Sequence, residues 1–115
     1  MCIRDRLWGT FPRVLGKYSR EENLISLEDA VYRMSGKPAE VFGISGRGEV
    51  AVGNFADMVV FNPDTVIDKA DFENPMEPAA GIDAVFVNGQ AVYRDGASTG
   101  ARPGKALKRQ GIAAY

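Results

Sequence analysis

Histidine is absent from this 115-residue sequence, and cysteine occurs once, as Cys2. Histidine is the most frequent general base near neutral pH and a common metal ligand, so its absence removes the usual hydrolytic triads and most zinc sites. A single cysteine leaves no internal disulfide, and nothing in the sequence indicates an oxidising compartment. We therefore expect a cytoplasmic chain that supplies no catalytic residue and no metal ligand of its own.

Long apolar runs and an excess of one charge are also missing. The longest apolar runs are four or five residues, such as MVVF and AVFV, far fewer than the ~20 residues that span a bilayer. The charges are balanced, with 14 basic and 15 acidic residues. Without clustered Lys and Arg the chain has little to attract the phosphates of nucleic acid. We expect one modest core, with neither a membrane nor a nucleic acid as partner.

The first 16 residues divide into two parts. Residues 1–6, MCIRDR, have no signal-peptide core and no helical or strand period, so we expect a non-native leader before a native sequence that begins near Arg6 or Leu7. Residues 7–16, LWGTFPRVLG, are apolar and punctuated by glycine, and Pro12 favours extended geometry before it. This pattern predicts an apolar loop that covers the chain's own core or lines a cleft or interface with other sequence.

Two short helices are predicted next. Ser26 is suited to cap the first, whose apolar residues form one stripe at helical spacing: Leu27, Ala30, Val31 and Met34. Pro38 is expected to start the second helix and Gly43 to end it. We expect the stripe to stay partly exposed where a larger body would cover it.

Residues 47–61, RGEVAVGNFADMVVF, organise the rest of the chain. Alternation in residues 47–53 predicts a strand, Gly53 a turn, and residues 58–61 a second, more buried strand. An apolar run bounded by turn residues is typical of a strand covered on both faces, and the cover must come from residues 84–94 or from a polypeptide that is not present. We therefore expect residues 59–61 to pair with residues 85–87 or their neighbours.

Asn88-Gly89 is the strongest short-range signal, because VFV precedes it and AVY follows it. It predicts a two-residue type I′ hairpin, and Asp95-Gly96 is expected to turn the chain again. Residues 99–115 are predicted to form a basic, extended tail.

Two features invite a binding site but have simpler interpretations. GISGRG at residues 43–48 follows a helix and opens a strand, whereas phosphate loops open a helix, so the pattern favours turns. Residues 65–78 are polar, with at most one helical turn near residues 69–72. Their carboxylates, together with the preceding one, are expected to be solvated rather than to bind a metal: Asp64, Asp68, Asp71, Glu73 and Glu77.

Four segments together resemble the C-terminal end of D-aminoacylases, the N-acyl-D-amino-acid deacylases of the metal-dependent amidohydrolase superfamily. They are LWGTFPRVLG at 7–16, LISLEDAVYRMSGKPAEVFGI at 24–44, RGEVAVGNFADMVVFNPDTV at 47–66 and GIDAVFVNGQAVYRDGASTGARPGKALKR at 81–109. The Gly-x-x-Ala-Asp-x-Val-Val-Phe pattern at residues 53–61 is shared by many amidohydrolases. GTFPRVLG and TGARPGK are typical of the deacylase branch.

The resemblance implies an α+β fragment, made of the last helices of a (β/α)8 amidohydrolase barrel plus the C-terminal strands of the small β-sandwich. In that arrangement residues 7–46 are the end of the barrel, with a mouth loop and terminal helices. Residues 47–98 are sandwich strands, and residues 99–115 are the tail. The missing barrel portion of the same protein is then the partner.

The family's reaction is zinc-assisted hydrolysis of N-acyl-D-amino acids to a carboxylate and a free D-amino acid. Its metal ligands and proton-relaying aspartate lie upstream of the stretch that matches residue 7, so the resemblance assigns no catalytic residue and no metal ligand here, and the chain alone is expected to be inactive. Thr10, Phe11 and Arg13 lie on the expected mouth loop and are candidates for substrate contact. Arg13 is alternatively a structural salt bridge.

Two other functions remain open from the sequence. One is a free-standing β-rich interaction module that docks through Trp8, Phe11 and the strand at residues 58–61. The other is the same portion of a hydantoinase-like or deaminase amidohydrolase, which upstream metal ligands would distinguish.

Overall fold

The computed structural model describes residues 9–109. The expectations for the leader at residues 1–6, for Trp8 and for the last residues of the tail lie outside this range. The described chain is a small α+β structure. Its elements are a helix at residues 9–21 (α1), α2 at Leu27–Met34, α3 at Gly36–Val41, and strands β1 at Met58–Phe61, β2 at Ile82–Val87, β3 at Gln90–Arg94 and β4 at Ala97–Ser98.

The four strands form one sheet in the order β1-β2-β3-β4. The pairing of β1 with β2 confirms the expected partnership of residues 59–61 with the strand at residues 85–87. Strands β2 and β3 are antiparallel, with Val87 opposite Gln90 across the Asn88-Gly89 turn. The register shifts between Val85 and Phe86, a bulge that no residue pattern indicated.

The N-terminal segment is helical, so the prediction of a loop over residues 7–16 is wrong for its described part. Residues 9–13 are α-helical and lead directly into a π-helix at Val14–Glu21. The amide of Glu22 donates to the carbonyl of Lys17 at 2.8 Å, and Asn23 adopts a left-handed φ of 53°. Pro12 is compatible with this helix because proline is tolerated within the first helical turn.

Helix α2 confirms the predicted Ser26 cap, whereas the predicted start of α3 at Pro38 is wrong by two residues. The hydroxyl of Ser26 accepts a hydrogen bond from the Asp29 amide at 3.2 Å, as a helix N-cap does. Helix α3 begins two residues before Pro38, at Gly36, and Gly43 follows its end with a φ of 66°. The apolar stripe of α2 is partly exposed, as expected: Ala30 is buried, but Val31 keeps 39% of its surface accessible.

The strand predicted for residues 47–53 is absent from the described structure, where these residues form turns and bends. Strand β1 is present but is not buried, because Met58, Val59 and Val60 are all exposed. The described chain therefore does not cover both faces of β1, which leaves the expected cover to a polypeptide outside this chain. The side chain of Arg47 instead binds residues distant in the sequence, Asp57 and Asn88.

The chain divides into two compact units. The first contains residues 9–30 with Phe61–Ile82, and its buried residues include Ser19, Ala30, Val66 and Ala70. The second contains Val31–Val60 with residues 83–109, and Ala84 is buried there. Residues 69–72 contain no helical turn, although Ile67 and Ala80 form an isolated antiparallel bridge. No helix within residues 9–109 is both long and apolar enough to cross a membrane.

Candidate functional site

An arginine of α1 holds the loop between β1 and β2. The Nη1 atom of Arg13 donates to Oδ2 of Asp68 at 3.0 Å, and only 7% of the Asp68 side chain is exposed. A carboxylate this well buried needs a charged or hydrogen-bonding partner, which Arg13 supplies. The expectation of solvated carboxylates is therefore wrong for Asp68, although Asp64, Asp71, Glu73 and Glu77 are exposed.

A second arginine of α1 binds the backbone of the same loop. Nη1 of Arg20 donates to the carbonyl oxygens of Pro63 at 3.0 Å and of Val66 at 2.8 Å. The side chain of Val66 has no exposed surface, so the loop backbone turns its carbonyls to Arg20 while Val66 enters the core. The burial of Val66 was not predicted, because residues 65–78 are mostly polar.

Two glycines permit this close packing. A Cβ atom on Gly16 of α1 would lie 2.4 Å from the carbonyl oxygen of Val66, and one on Gly81 would lie 2.4 Å from the Val66 nitrogen. Gly81 also has a φ of 82°, which L-residues with side chains rarely adopt. The helix and loop therefore approach at backbone distance, which larger residues at either position would prevent.

The three candidates for substrate contact lie within one turn of α1. Thr10 and Phe11 are exposed, and Phe11 keeps 64% of its surface accessible, whereas Arg13 is half-buried against Asp68. Residues two apart on a helix are separated by about 200° around its axis, so Phe11 and Arg13 point in nearly opposite directions. Helix α1 therefore does not bring all three side chains to one point. Their contact with a substrate stays a prediction.

The second unit contains another side-chain cluster, around Arg47, whose side chain is only 11% exposed. Its Nη1 pairs with Oδ2 of Asp57, and its Nη2 donates to Oδ1 of Asn88 at 2.7 Å. The backbone amide of Asn88 in turn donates to Oδ1 of Asp57 at 2.8 Å. The guanidinium carbon also lies 4.2 Å from the ring centre of Phe55, a cation–π distance. These contacts join the segment before β1 to the turn after β2.

Hydrogen bonds in the two arginine–aspartate pairs shift the pKa values of Asp57 and Arg13. The hydrogen bond from the Asn88 amide, followed by the Arg47 guanidinium, holds the pKa of Asp57 below its usual value. Hydrogen bonds to the side chains of Tyr18 and then Asp68 raise the pKa of Arg13. The lowered pKa favours the carboxylate form of Asp57, and the raised pKa favours the charged guanidinium of Arg13.

The described residues do not fit a zinc site. No group of three or more His, Cys, Asp or Glu side chains in residues 9–109 is placed to hold a metal ion. Asp57 and Asp68 are each bound to an arginine instead. The sequence also contains no histidine to complete a usual zinc coordination sphere.

Sequence reasoning missed Arg20, Asp68 and the cluster around Arg47. One partial signal was present for the cluster, because Asp57 is the aspartate of the Gly-x-x-Ala-Asp pattern at residues 53–61. That pattern identified a family but not a contact 31 positions away, from Asp57 to Asn88. Nothing in the local sequence separates Arg20 or Asp68 from the neighbouring charged residues.

The described structure is an α+β chain with loops anchored by arginines. The sequence profile described as the amidohydrolase family matches residues 1–93. The chain therefore belongs to the amidohydrolase family.

Individual relatives show which members of this family the chain is similar to. The chain is 55% identical over 104 residues to a D-aminoacylase of Alcaligenes xylosoxydans xylosoxydans. The match covers 90% of this chain and 22% of that protein. A crystal structure of D-aminoacylase matches 91% of the chain and 22% of its own length, at 55% identity and a TM-score of 0.90.

A third relative was solved with a metal and an inhibitor. It is the N-acyl-D-glutamate deacylase of Bordetella bronchiseptica, in complex with zinc and a phosphonate that mimics the tetrahedral intermediate of the reaction. Its identity is 49% and its TM-score 0.84, over 90% of this chain and 22% of that one. The chain thus spans about a fifth of the length of the relatives it matches.

Proposed function

We propose that this chain supplies the C-terminal portion of a zinc-dependent deacylase, which hydrolyses N-acyl-D-amino acids to a carboxylate and a free D-amino acid. The observation that carries the proposal is the 55% identity to D-aminoacylase over 104 residues, together with a TM-score of 0.90. At this level of similarity the backbone and most of its contacts are shared. The substrate class follows from the names of the relatives.

In this proposal α1, α2 and α3 belong to the end of a (β/α)8 barrel, within residues 7–46. Strands β1 to β4 belong to a small β-sandwich within residues 47–98, and residues 99–115 form its tail. The exposed faces of α2 and β1 support this assignment, because such apolar surfaces are covered in stable proteins. The missing barrel portion of the same cytoplasmic protein would cover them.

The chain's own contribution in this proposal is structural. The zinc ligands and the catalytic residues are proposed to belong to the remainder of the protein, as the resemblance to D-aminoacylases implies. The described residues hold α1 against the loop at residues 62–81 through Arg13 and Arg20. Thr10 and Phe11, exposed on α1, are proposed to face the substrate, with Arg13 as the alternative anchor for its carboxylate.

A chimaeric enzyme tests the proposal directly. The segment of the Alcaligenes D-aminoacylase that matches this chain is replaced by residues 9–109, and release of free D-amino acid from N-acyl-D-amino acids is measured. We expect kcat/KM within about tenfold of the parent enzyme, a difference of about 1.4 kcal/mol. The parent enzyme truncated before this segment is the control and should be inactive. A folded, zinc-loaded chimaera without deacylase activity would contradict the proposal.

A further inference from the structure

The sheet contains two tight turns with the same backbone conformation and different surroundings. Asn88-Gly89 connects β2 to β3, with φ values of 50° and 79°, and Asp95-Gly96 connects β3 to β4, with φ values of 52° and 84°. Positive φ at both central residues is typical of type I′ turns. Both turns also place glycine after an Asn or Asp residue, a sequence that is chemically labile.

The reaction at such sites is intramolecular. The backbone nitrogen of the glycine attacks the side-chain carbonyl carbon of the preceding residue, a C–N bond forms, and the leaving group departs as ammonia from Asn or as water from protonated Asp. Solvent water then opens the succinimide ring at either carbonyl and gives aspartate or isoaspartate. The attack requires a free side chain and a free glycine nitrogen.

At Asn88-Gly89 both reacting groups are restrained. Oδ1 of Asn88 accepts from Arg47 at 2.7 Å, and Nδ2 donates to the carbonyl of Pro103 at 2.7 Å. The attacking nitrogen, that of Gly89, donates its proton to the carbonyl of Ala56 at 3.0 Å. Rotation of the side chain toward the nitrogen therefore breaks two hydrogen bonds, one of them charge-assisted.

At Asp95-Gly96 the corresponding groups are open. Both residues are exposed, and a Cβ atom built on Gly96 would meet no other atom within 4 Å. The backbone amide of Asp95 donates to the carbonyl of Asp83 at 3.2 Å, a contact that does not involve its side chain. The side chain is thus free to rotate toward the glycine nitrogen.

We propose that Asp95-Gly96 is a site of spontaneous isoaspartate formation in this protein, and that the hydrogen bonds from Arg47, Pro103 and Ala56 protect Asn88-Gly89 from deamidation. Unrestrained Asn-Gly reacts faster than Asp-Gly near neutral pH, because the neutral amide can release ammonia directly, whereas a carboxylate must first be protonated before water can leave. The hydrogen bonds around Asn88-Gly89 reverse this order of reaction rates in the folded chain. Isoaspartate at position 95 adds a methylene to the backbone beside the Arg94 to Ala97 pair, and so loosens β4.

An Asp95→Asn variant of the full chain compares the two turns with identical chemistry. The variant is aged near neutral pH, and peptide mapping by mass spectrometry follows conversion of amide to acid at each position. We expect the amide introduced at position 95 to react at least about tenfold faster than Asn88, the effect of about 1.4 kcal/mol of restraint. In strong denaturant the two rates should become similar. Equal rates at the two positions in buffer would overturn the proposal.

Two further measurements separate the restraint from other causes. In the unmodified chain, isoaspartate should accumulate at Asp95 while Asn88 stays intact, and loss of the Asn88 amide first would overturn the proposal. Arg47→Ala should accelerate deamidation of Asn88 and leave Asp95 unchanged. Arg102→Ala, which removes an exposed guanidinium beside Pro103, is the matched control and should change neither rate. A slower reaction of Asn88 in Arg47→Ala would show that Arg47 activates the amide and would also overturn it.

Discussion

Two arginine–carboxylate pairs show how single residues anchor this chain. Arg13 binds Asp68 in the first unit, and Arg47 binds Asp57 in the second. In each pair the arginine is largely buried, with 23% and 11% of its side chain exposed. Pairs with this degree of burial matter mainly because the loss of one partner leaves the other charge uncompensated.

The structural role of Arg13 makes a testable prediction against its alternative role in substrate contact. In the active chimaera, Arg13→Gln should lower the free energy of unfolding by about 1 to 3 kcal/mol, because Asp68 is left buried without its cation. The KM for N-acyl-D-amino acids should stay unchanged. Chemical denaturation and steady-state kinetics provide the two readouts.

A second substitution checks the reason for this effect. Asp68→Asn in the Arg13→Gln background should recover part of the lost stability, since a neutral amide is less costly to bury than an uncompensated carboxylate. A raised KM with unchanged stability would instead assign Arg13 to the substrate carboxylate.

The lowered pKa of Asp57 predicts a dependence of stability on pH. A carboxylate whose pKa is lower in the folded than in the unfolded chain stabilises the fold above the unfolded value of 3.8, and this contribution is lost as pH falls through the folded value. Asp57→Asn should therefore cost about 1 kcal/mol near pH 7. The difference from the unmodified chain should shrink as the pH falls below about 4.

Urea unfolding of the active chimaera and its variants over this pH range measures the dependence. Glu77→Gln, a substitution on an exposed loop, is the matched control. A difference between Asp57→Asn and the unmodified chain that stays constant into acid would show that the charge of Asp57 does not contribute.

At the scale of elements, local turn and capping signals were reliable, whereas irregular segments were not. The Asn88-Gly89 hairpin, the Ser26 cap and the second turn at Asp95-Gly96 all depend on interactions within a few residues. Helix α1 was predicted as a loop because glycine and proline interrupt its sequence. In the structure Gly16 serves the contact of α1 with the loop at residues 62–81, and this contact is invisible in the local pattern.

The close approach at Gly16 predicts an unusual response to alanine. Gly→Ala inside a helix normally stabilises by roughly 0.5–1 kcal/mol. Gly16→Ala should instead destabilise by about 1 to 3 kcal/mol, because the new methyl group would lie 2.4 Å from the carbonyl oxygen of Val66. Thermal unfolding of the chimaera with and without Gly16→Ala measures the difference in the free energy of unfolding. Gly104→Ala is the matched control, since no atom lies within 4 Å of its added Cβ, and it should be neutral to within about 0.5 kcal/mol.

At the scale of the whole molecule, the described chain exposes many large apolar side chains. Those most exposed in the second unit are Val41, Phe42, Val50, Val52, Phe55, Val59, Val60 and Leu107. The buried residues of the described chain are mostly small, and Val66 is the largest side chain that is fully buried there. Such a distribution is typical of a part that packs against a larger body.

This exposure predicts how the 115-residue chain behaves alone. We expect it to bind a hydrophobic fluorescent dye and to elute as aggregates in size-exclusion chromatography, because exposed apolar surface favours association. Val50→Ser with Val52→Ser should decrease dye fluorescence, while Glu49→Ser, an exposed neighbour, should not. A cooperatively unfolding monomer without dye binding would support the free-standing interaction module instead.

The sequence alone determined the α+β class, the two central helices, the hairpin and the family resemblance, because caps, turns and apolar periods act over a few neighbouring residues. Only the tertiary structure decided that α1 is a helix, that residues 47–53 are not a strand, and that Asp57 and Asp68 are bound by arginines. These features depend on contacts 10 to 55 positions apart, from Arg47 to Asp57 and from Arg13 to Asp68. Long-range charge pairing and backbone approach leave no local period in a sequence, so the folded chain was needed to reveal them.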